Sequence, residues 1–321
     1  MHRLTLEKRQ VWIYLLAITG GLLVGSLAPE AGTYLERLVW PVLAMLLYAT
    51  FCQVPLLHVR SAFSDRRFVL AVLLGNFVLV PCWVWVVLGW LPGDDPALRL
   101  GIALVLLMPC TDWFITFTQL GRGDTARAMA ITPLNLLAQL FLLPFYLWLM
   151  LPPADFGGVW HADSALFAAL ALIGIPLTAA ILTECWTEAT AKGARWRDYL
   201  GWGPVPLLAT VLFLIATSQV GAVRGAGALL PTLLPVFIGF LISMALFARG
   251  LAWSLRLPTE AGRTLAFSLA TRNSFLVLPF ALALPGGWEV AVVVIVFQSL
   301  IELLGMVVFL RWVPGMLFPH H

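Results

Sequence analysis

Leu107-Met108-Pro109-Cys110-Thr111-Asp112-Trp113 interrupts one long apolar run, and Leu269-Ala270-Thr271-Arg272-Asn273-Ser274-Phe275 interrupts another 162 residues later. A helix needs about 20 mostly apolar residues to cross a hydrocarbon core of about 30 Å, and both runs are long enough. Each holds a charge, Asp112 in the first and Arg272 in the second, close to the middle of the segment. A charge at a helix centre costs at least about 2.5 kcal/mol, so such residues face a cavity or one another. Pro109 also removes a backbone donor and clashes with the turn before it. Backbone groups freed at that depth must be satisfied by neighbours or line a wet cavity. The reading is of two broken membrane helices.

The whole chain agrees with a membrane setting. Of its 321 residues 61% are apolar and only 11% charged, whereas soluble domains carry about 25% charged residues. A net charge of +3 gives no reason to expect nucleic acid as a partner. Cys52, Cys82, Cys110 and Cys185 lack any C-x-x-C spacing, so neither a disulfide framework nor a zinc site is expected. No cofactor is expected, and without H-E-x-x-H or G-x-S-x-G neither is an enzyme.

Cutting at the charged, Gly-rich and Pro-rich interruptions leaves ten segments, at about 10–28, 36–55, 68–91, 99–120, 125–151, 164–183, 199–220, 227–248, 260–284 and 288–312. The first is read as a retained span. Lys and Arg gather on one side of this cut, in clusters such as Arg60, Arg66 and Arg67, leaving Arg37, Arg99 and Arg224 on the other and Arg272 within a span. Short cytoplasmic loops collect basic residues. Both termini are therefore expected in the cytoplasm of a multi-pass cell-membrane protein.

The chain also resembles itself. Asn135 and Gln139 stand four apart in the fifth segment, and Gln298 and Glu302 stand four apart in the tenth, at an offset of 163 residues. Ala49-Thr50 and Gln53-Val54 echo Ala216-Thr217 and Gln219-Val220. Five spans are an odd number, so a second copy starts on the opposite face of the membrane. The expected fold is all-α, with residues 1–151 and 152–321 forming two inverted five-helix repeats and broken helices four and nine crossing. Inverted repeats whose broken helices meet at the midplane are a transporter architecture.

Cys110, then Leu120, Gly123-Asp124, Asn135 and Gln139, follow a spaced pattern, and Thr264-Leu265-Ala266-Phe267, Asn273 and Glu302 extend it. The pattern resembles the arsenical-resistance (arsenite efflux) permeases of the bile acid/sodium symporter superfamily. That family has a span-four cysteine, then L-x-x-G-D, then N-x-x-x-Q, and an essential glutamate where Glu302 stands. Two departures change the charge pattern. Met108-Pro109-Cys110 replaces the usual A-R-C, and Arg272-Asn273-Ser274-Phe275 replaces N-N-F-E, removing an acid and adding a cation.

The resemblance implies export of arsenite, and of antimonite as a second substrate, by alternating access. Soft centres of this kind are suited by sulfur ligands. Cys110 is the expected arsenic(III) ligand, with Thr111, Asn273, Ser274, Gln298 and Glu302 around it. Glu302 is the expected proton carrier, Arg272 its ion-pair partner and Asp112 the second partner; the plainer reading makes these three a structural cluster. Asn135 and Gln139 line the site or serve as interhelical glue, typically worth ~0.6 kcal/mol. Trp113 is expected to wall the site, and Asn76 and Gln219 to pack between helices. Cys110 has its own plainer reading as an inert buried thiol. The alternative function is a sodium-coupled symporter of a small organic anion, with Arg272 as its clamp. Oligomeric state and the origin of the His320-His321 pair stay open.

Overall fold

The structure is a computed structural model, and it describes residues 3–58, 65–91, 95–111, 113–151, 163–190, 196, 199–218, 220 and 226–319. Helices account for nearly all of them: α1 (Arg3–Leu27), α2 (Pro29–Phe51), α3 (Arg66–Trp90), α4 (Pro96–Leu106), α5 (Trp113–Leu120), α6 (Thr125–Met150), α7 (Asp163–Ala189), α8 (Pro204–Ser218), α9 (Leu230–Ser254), α10 (Thr259–Ala270), α11 (Ser274–Leu282) and α12 (Glu289–Trp312). Five of the described helices have the length and hydropathy to cross a bilayer, namely α2, α3, α6, α9 and α12, the last running on to Leu317. Shorter apolar helices include α4 and α8.

Local chemistry sets the helix starts. Asp95 accepts from the Ala97 and Leu98 amides at 3.0 and 3.2 Å, with Pro96 at the first helical position, where no donor is lost. Asp65 does the same for α3, accepting from Phe68 N–H at 3.1 Å. Burial pushes its carboxyl pKa upward, but the Phe68 amide and Arg127 outweigh that and hold it below the usual value. The Gly121-Arg122-Gly123-Asp124 turn links α5 to α6. Asp124 caps α6 by accepting from Arg127 N–H at 3.0 Å, and Arg127 joins Asp124 to Asp65. The turn is tied to α10: Asp124 N–H donates to Thr264 Oγ1 at 2.7 Å, and a Cβ on Gly121 would lie 2.2 Å from the Phe267 ring.

The helices sort into two groups. In the first, α8 lies against both α1 and α2, and α7 against α2. In the second, α12 packs on α4, α9 on α10, and α10 on α3, α5 and α6. Small residues set the closest approaches. A Cβ on Gly25 would lie 2.3 Å from Thr217 O, so the α1 and α8 backbones touch there. In membranes, where lipid is as apolar as a leucine, such close packing drives helix association. Gly25→Leu is therefore expected to destabilise the first group by ~1–3 kcal/mol through overpacking. Thermal unfolding in detergent reads this as a lowered Tm, and an unchanged Tm would remove the contact.

Candidate functional site

Helix α4 ends at Leu106 and α5 starts at Trp113; α10 ends at Ala270 and α11 starts at Ser274. Between each pair the described residues are not helical, and the stretches 108–110 and 271–273 run antiparallel past one another. Cys110 N–H donates to Thr271 O at 3.1 Å and Asn273 N–H donates to Met108 O at 2.7 Å, with Pro109 opposite Arg272. Positions 109 and 272 form the pair that exchanges no hydrogen bond in such a ladder. A proline therefore costs nothing at 109, and the Arg272 amide is free to point elsewhere. Freed backbone at the break is satisfied by the other break, one of the two outcomes that burial in lipid permits.

The Arg272 amide points at Glu302. It donates to Oε2 at 2.8 Å, and Gln298 Nε2 donates to the same oxygen at 2.7 Å. Ser274 Oγ donates to Gln298 Oε1 at 2.8 Å, which completes a relay from α11 through α12 to the carboxylate. One turn of helix separates Gln298 from Glu302, so both face the crossing. Asn273 caps α11 by accepting from Leu276 N–H at 3.2 Å, and its Nδ2 donates to Thr111 Oγ1 at 3.1 Å. The Trp113 indole meets the Phe275 ring edge-on, 5.4 Å between centroids, so the starts of α5 and α11 are held together.

The Arg272 side chain goes the other way. Its Nη2 donates to Asn76 Oδ1, Ser268 O and Leu269 O at 2.8, 3.0 and 2.8 Å, and Nη1 to Leu106 O at 3.2 Å. The guanidinium also lies 5.3 Å from the centre of the Phe240 ring, on α9. Residue 272 thus meets Glu302 through its backbone amide, while the hydrogen bonds of its side chain serve the ends of α4 and α10. Asn76, expected only to pack, is a partner of that cation. It sits in a π-helical turn of α3, Gly75–Leu79, and its Nδ2 donates to Ser268 Oγ at 3.2 Å. Asp112 and Gln219 lie outside the described residues.

Cys110, Arg272 and Ser274 are 0% exposed, Thr111 and Glu302 1%, Gln298 2%, and Asn273 and Trp113 6%, so this conformation closes the crossing to both sides. Asn135 and Gln139 on α6 are equally buried, yet among the described residues none of their four amide atoms has a hydrogen-bond partner. Neither does Trp113 Nε1. Buried polar groups are nearly always paired, so each such exception needs a reason. The Cys52 side chain is buried at the end of α2, and Cys82 and Cys185 are exposed on α3 and α7, away from the breaks.

Residues 40–225 match the model of the Sodium Bile acid symporter family. The chain belongs to that family. The matched stretch holds the first break with Cys110, as well as Asn135 and Gln139. The chain is also similar to the arsenical-resistance protein Acr3 of Corynebacterium glutamicum, with 24% identity over 324 residues, covering 94% of this chain and 83% of the relative. As a member of the symporter family it is a multi-pass membrane transporter and not an enzyme.

Proposed function

We propose that the protein exports trivalent metalloid, arsenite and antimonite, from the cytoplasm across the cell membrane by proton antiport, through alternating access around the crossed breaks. The observation that carries this is Cys110 in the break itself, its backbone hydrogen-bonded to Thr271 across the crossing and its side chain buried. A single thiol suits a cargo that must be released: it exchanges with one hydroxyl of the neutral trihydroxide, forming As–S and water, and water reverses the step on the far side. Thr111, Asn273, Ser274, Gln298 and Glu302 supply the surrounding donors and acceptors. The Acr3 relative, an arsenical-resistance protein, supports the substrate class.

In this reading residues 1–151 and 152–321 are inverted five-helix repeats giving ten spans, with both termini cytoplasmic and each helix group drawn from both halves. The helix starts support it: α3, α4 and α6 begin at residues 66, 96 and 125, and α9, α10 and α12 at 230, 259 and 289, offsets of 163 or 164. The contacts exchange accordingly, with α1 on α8 matched by α7 on α2, and α4 on α12 by α10 on α6. Glu302 is the proton site. Its carboxylate accepts from the Arg272 amide on α10–α11 and from Gln298 on α12, so relative movement of those elements alters how well its charge is held.

A sodium-coupled importer of an organic anion would use Arg272 as its clamp. Against that, Nη1 and Nη2 already donate to four protein oxygens. The test is metalloid uptake into everted vesicles under imposed proton or sodium gradients. Wild type is expected to accumulate arsenite with the proton gradient, and Cys110→Ala to lose at least ~10-fold of that flux, the loss of ~1.4 kcal/mol or more of differential binding. Equal flux in the variant would take sulfur out of the mechanism, and sodium-driven anion uptake without metalloid flux would favour the importer.

A further inference from the structure

We propose that the Arg272 guanidinium is a tethered cation filling a monovalent-cation position at the crossing, so that the protein is built to work with no sodium ion there. Four oxygens surround its Nη atoms at 2.8–3.2 Å: Leu106 O, Ser268 O, Leu269 O and Asn76 Oδ1. Three of them are carbonyls at the C-terminal ends of the half-helices α4 and α10, whose partial charge is about −0.5 each. In transporters with broken helices, unwound carbonyls and half-helix C-termini coordinate the sodium ion. All-oxygen ligand sets are what hard cations take.

The fourth ligand is held in place for the purpose. The π-helical turn of α3 carries Asn76, and its Nδ2 bond to Ser268 Oγ at 3.2 Å turns Oδ1 toward the guanidinium. Gly75 lets α3 come this close, since a Cβ there would lie 2.5 Å from a Leu269 methyl group. The Phe240 ring gives the cation a π face at 5.3 Å. An arginine that only closed one helix end would need neither a second half-helix nor an amide from a third element. The chain thus supplies the charge for these four oxygens, and a diffusible cation placed there would meet both the guanidinium volume and its charge.

This deepens the transport reading, on which it rests for the crossing being the transport centre, but its readout is ion dependence and not metalloid flux. The experiment is thermal unfolding of the purified full-length protein in detergent at constant ionic strength, with choline chloride replaced stepwise by sodium chloride or by millimolar guanidinium. Wild type is expected to show the same Tm in sodium as in choline. Arg272→Ala is expected to unfold at lower temperature in choline and to gain a saturable upward shift with sodium, guanidinium or both. Arg272→Lys, which keeps a tethered charge, is expected to stay indifferent to sodium.

An Arg272→Ala protein that neither ion stabilises overturns the proposal. So does a wild-type or Arg272→Lys protein that sodium stabilises as strongly as it does the alanine variant. If Arg272→Ala does not stay folded in choline, recovery of folded protein on extraction in sodium or guanidinium supports the proposal, and failure in all three salts overturns it. Absent arsenite flux with these ion dependences intact would overturn the substrate reading alone.

Discussion

Glu302→Gln is expected to abolish coupling to the pH gradient while leaving the protein folded and able to exchange substrate. Gln keeps an oxygen that can accept from the Arg272 amide, as Oε2 does at 2.8 Å, and it keeps the volume of the side chain. It has no titrating proton. Net efflux driven by a pH gradient should fall at least ~10-fold, because a switch whose two states bind a proton equally well shifts no equilibrium. Counterflow of labelled against unlabelled arsenite at a single pH, which needs no net proton movement, should persist. Wild-type pH-driven efflux in Glu302→Gln would exclude the carboxylate as the proton site. Loss of both pH-driven efflux and counterflow would make Glu302 a binding group and leave the coupling site elsewhere.

How much of this site could be read from the sequence depends on how far apart its partners lie. The breaks were legible because Pro109 and two charged positions interrupt otherwise apolar runs, and helix geometry puts Gln298 and Glu302 on one face at a spacing of four. The partner of Arg272 was not. Asn76 is 196 residues away in sequence, within an apolar stretch, and a π-helical turn leaves no mark on residue pattern. Opposite charges at one depth suggested that the Arg272 side chain pairs with Glu302. The amide donates to the carboxylate, and the side-chain hydrogen bonds run to the ends of α4 and α10, a division of hydrogen bonds that pattern alone does not distinguish.

Replacing Asn135 and Gln139 together by Leu and Met is expected to leave Tm unchanged or raise it, while arsenite flux falls at least ~10-fold. In the proposed repeat Asn135 and Gln139 take the places of Gln298 and Glu302; Gln298 and the Oε2 of Glu302 are hydrogen-bonded, whereas among the described residues no hydrogen-bond partner meets any of the four amide atoms of Asn135 and Gln139. The position matching Arg272 across the ladder is Pro109, which has no amide hydrogen to offer Gln139. Position 109 therefore lacks the amide donor that Arg272 gives to Glu302 Oε2. An unpaired buried polar group costs ~1–3 kcal/mol, so two side chains with four unpaired atoms lower stability in this closed conformation, and apolar residues of similar volume relieve that. Interhelical glue behaves oppositely: removing a satisfied bond lowers Tm, by ~0.6 kcal/mol of stability for a typical pair. A neutral trihydroxide, with hydroxyls that both donate and accept, matches two amides that each present a donor and an acceptor. Thermal unfolding and vesicle flux on the same variant separate the two roles. A lower Tm with intact flux assigns Asn135 and Gln139 to packing, whereas a stable protein that no longer moves arsenite assigns them to the substrate.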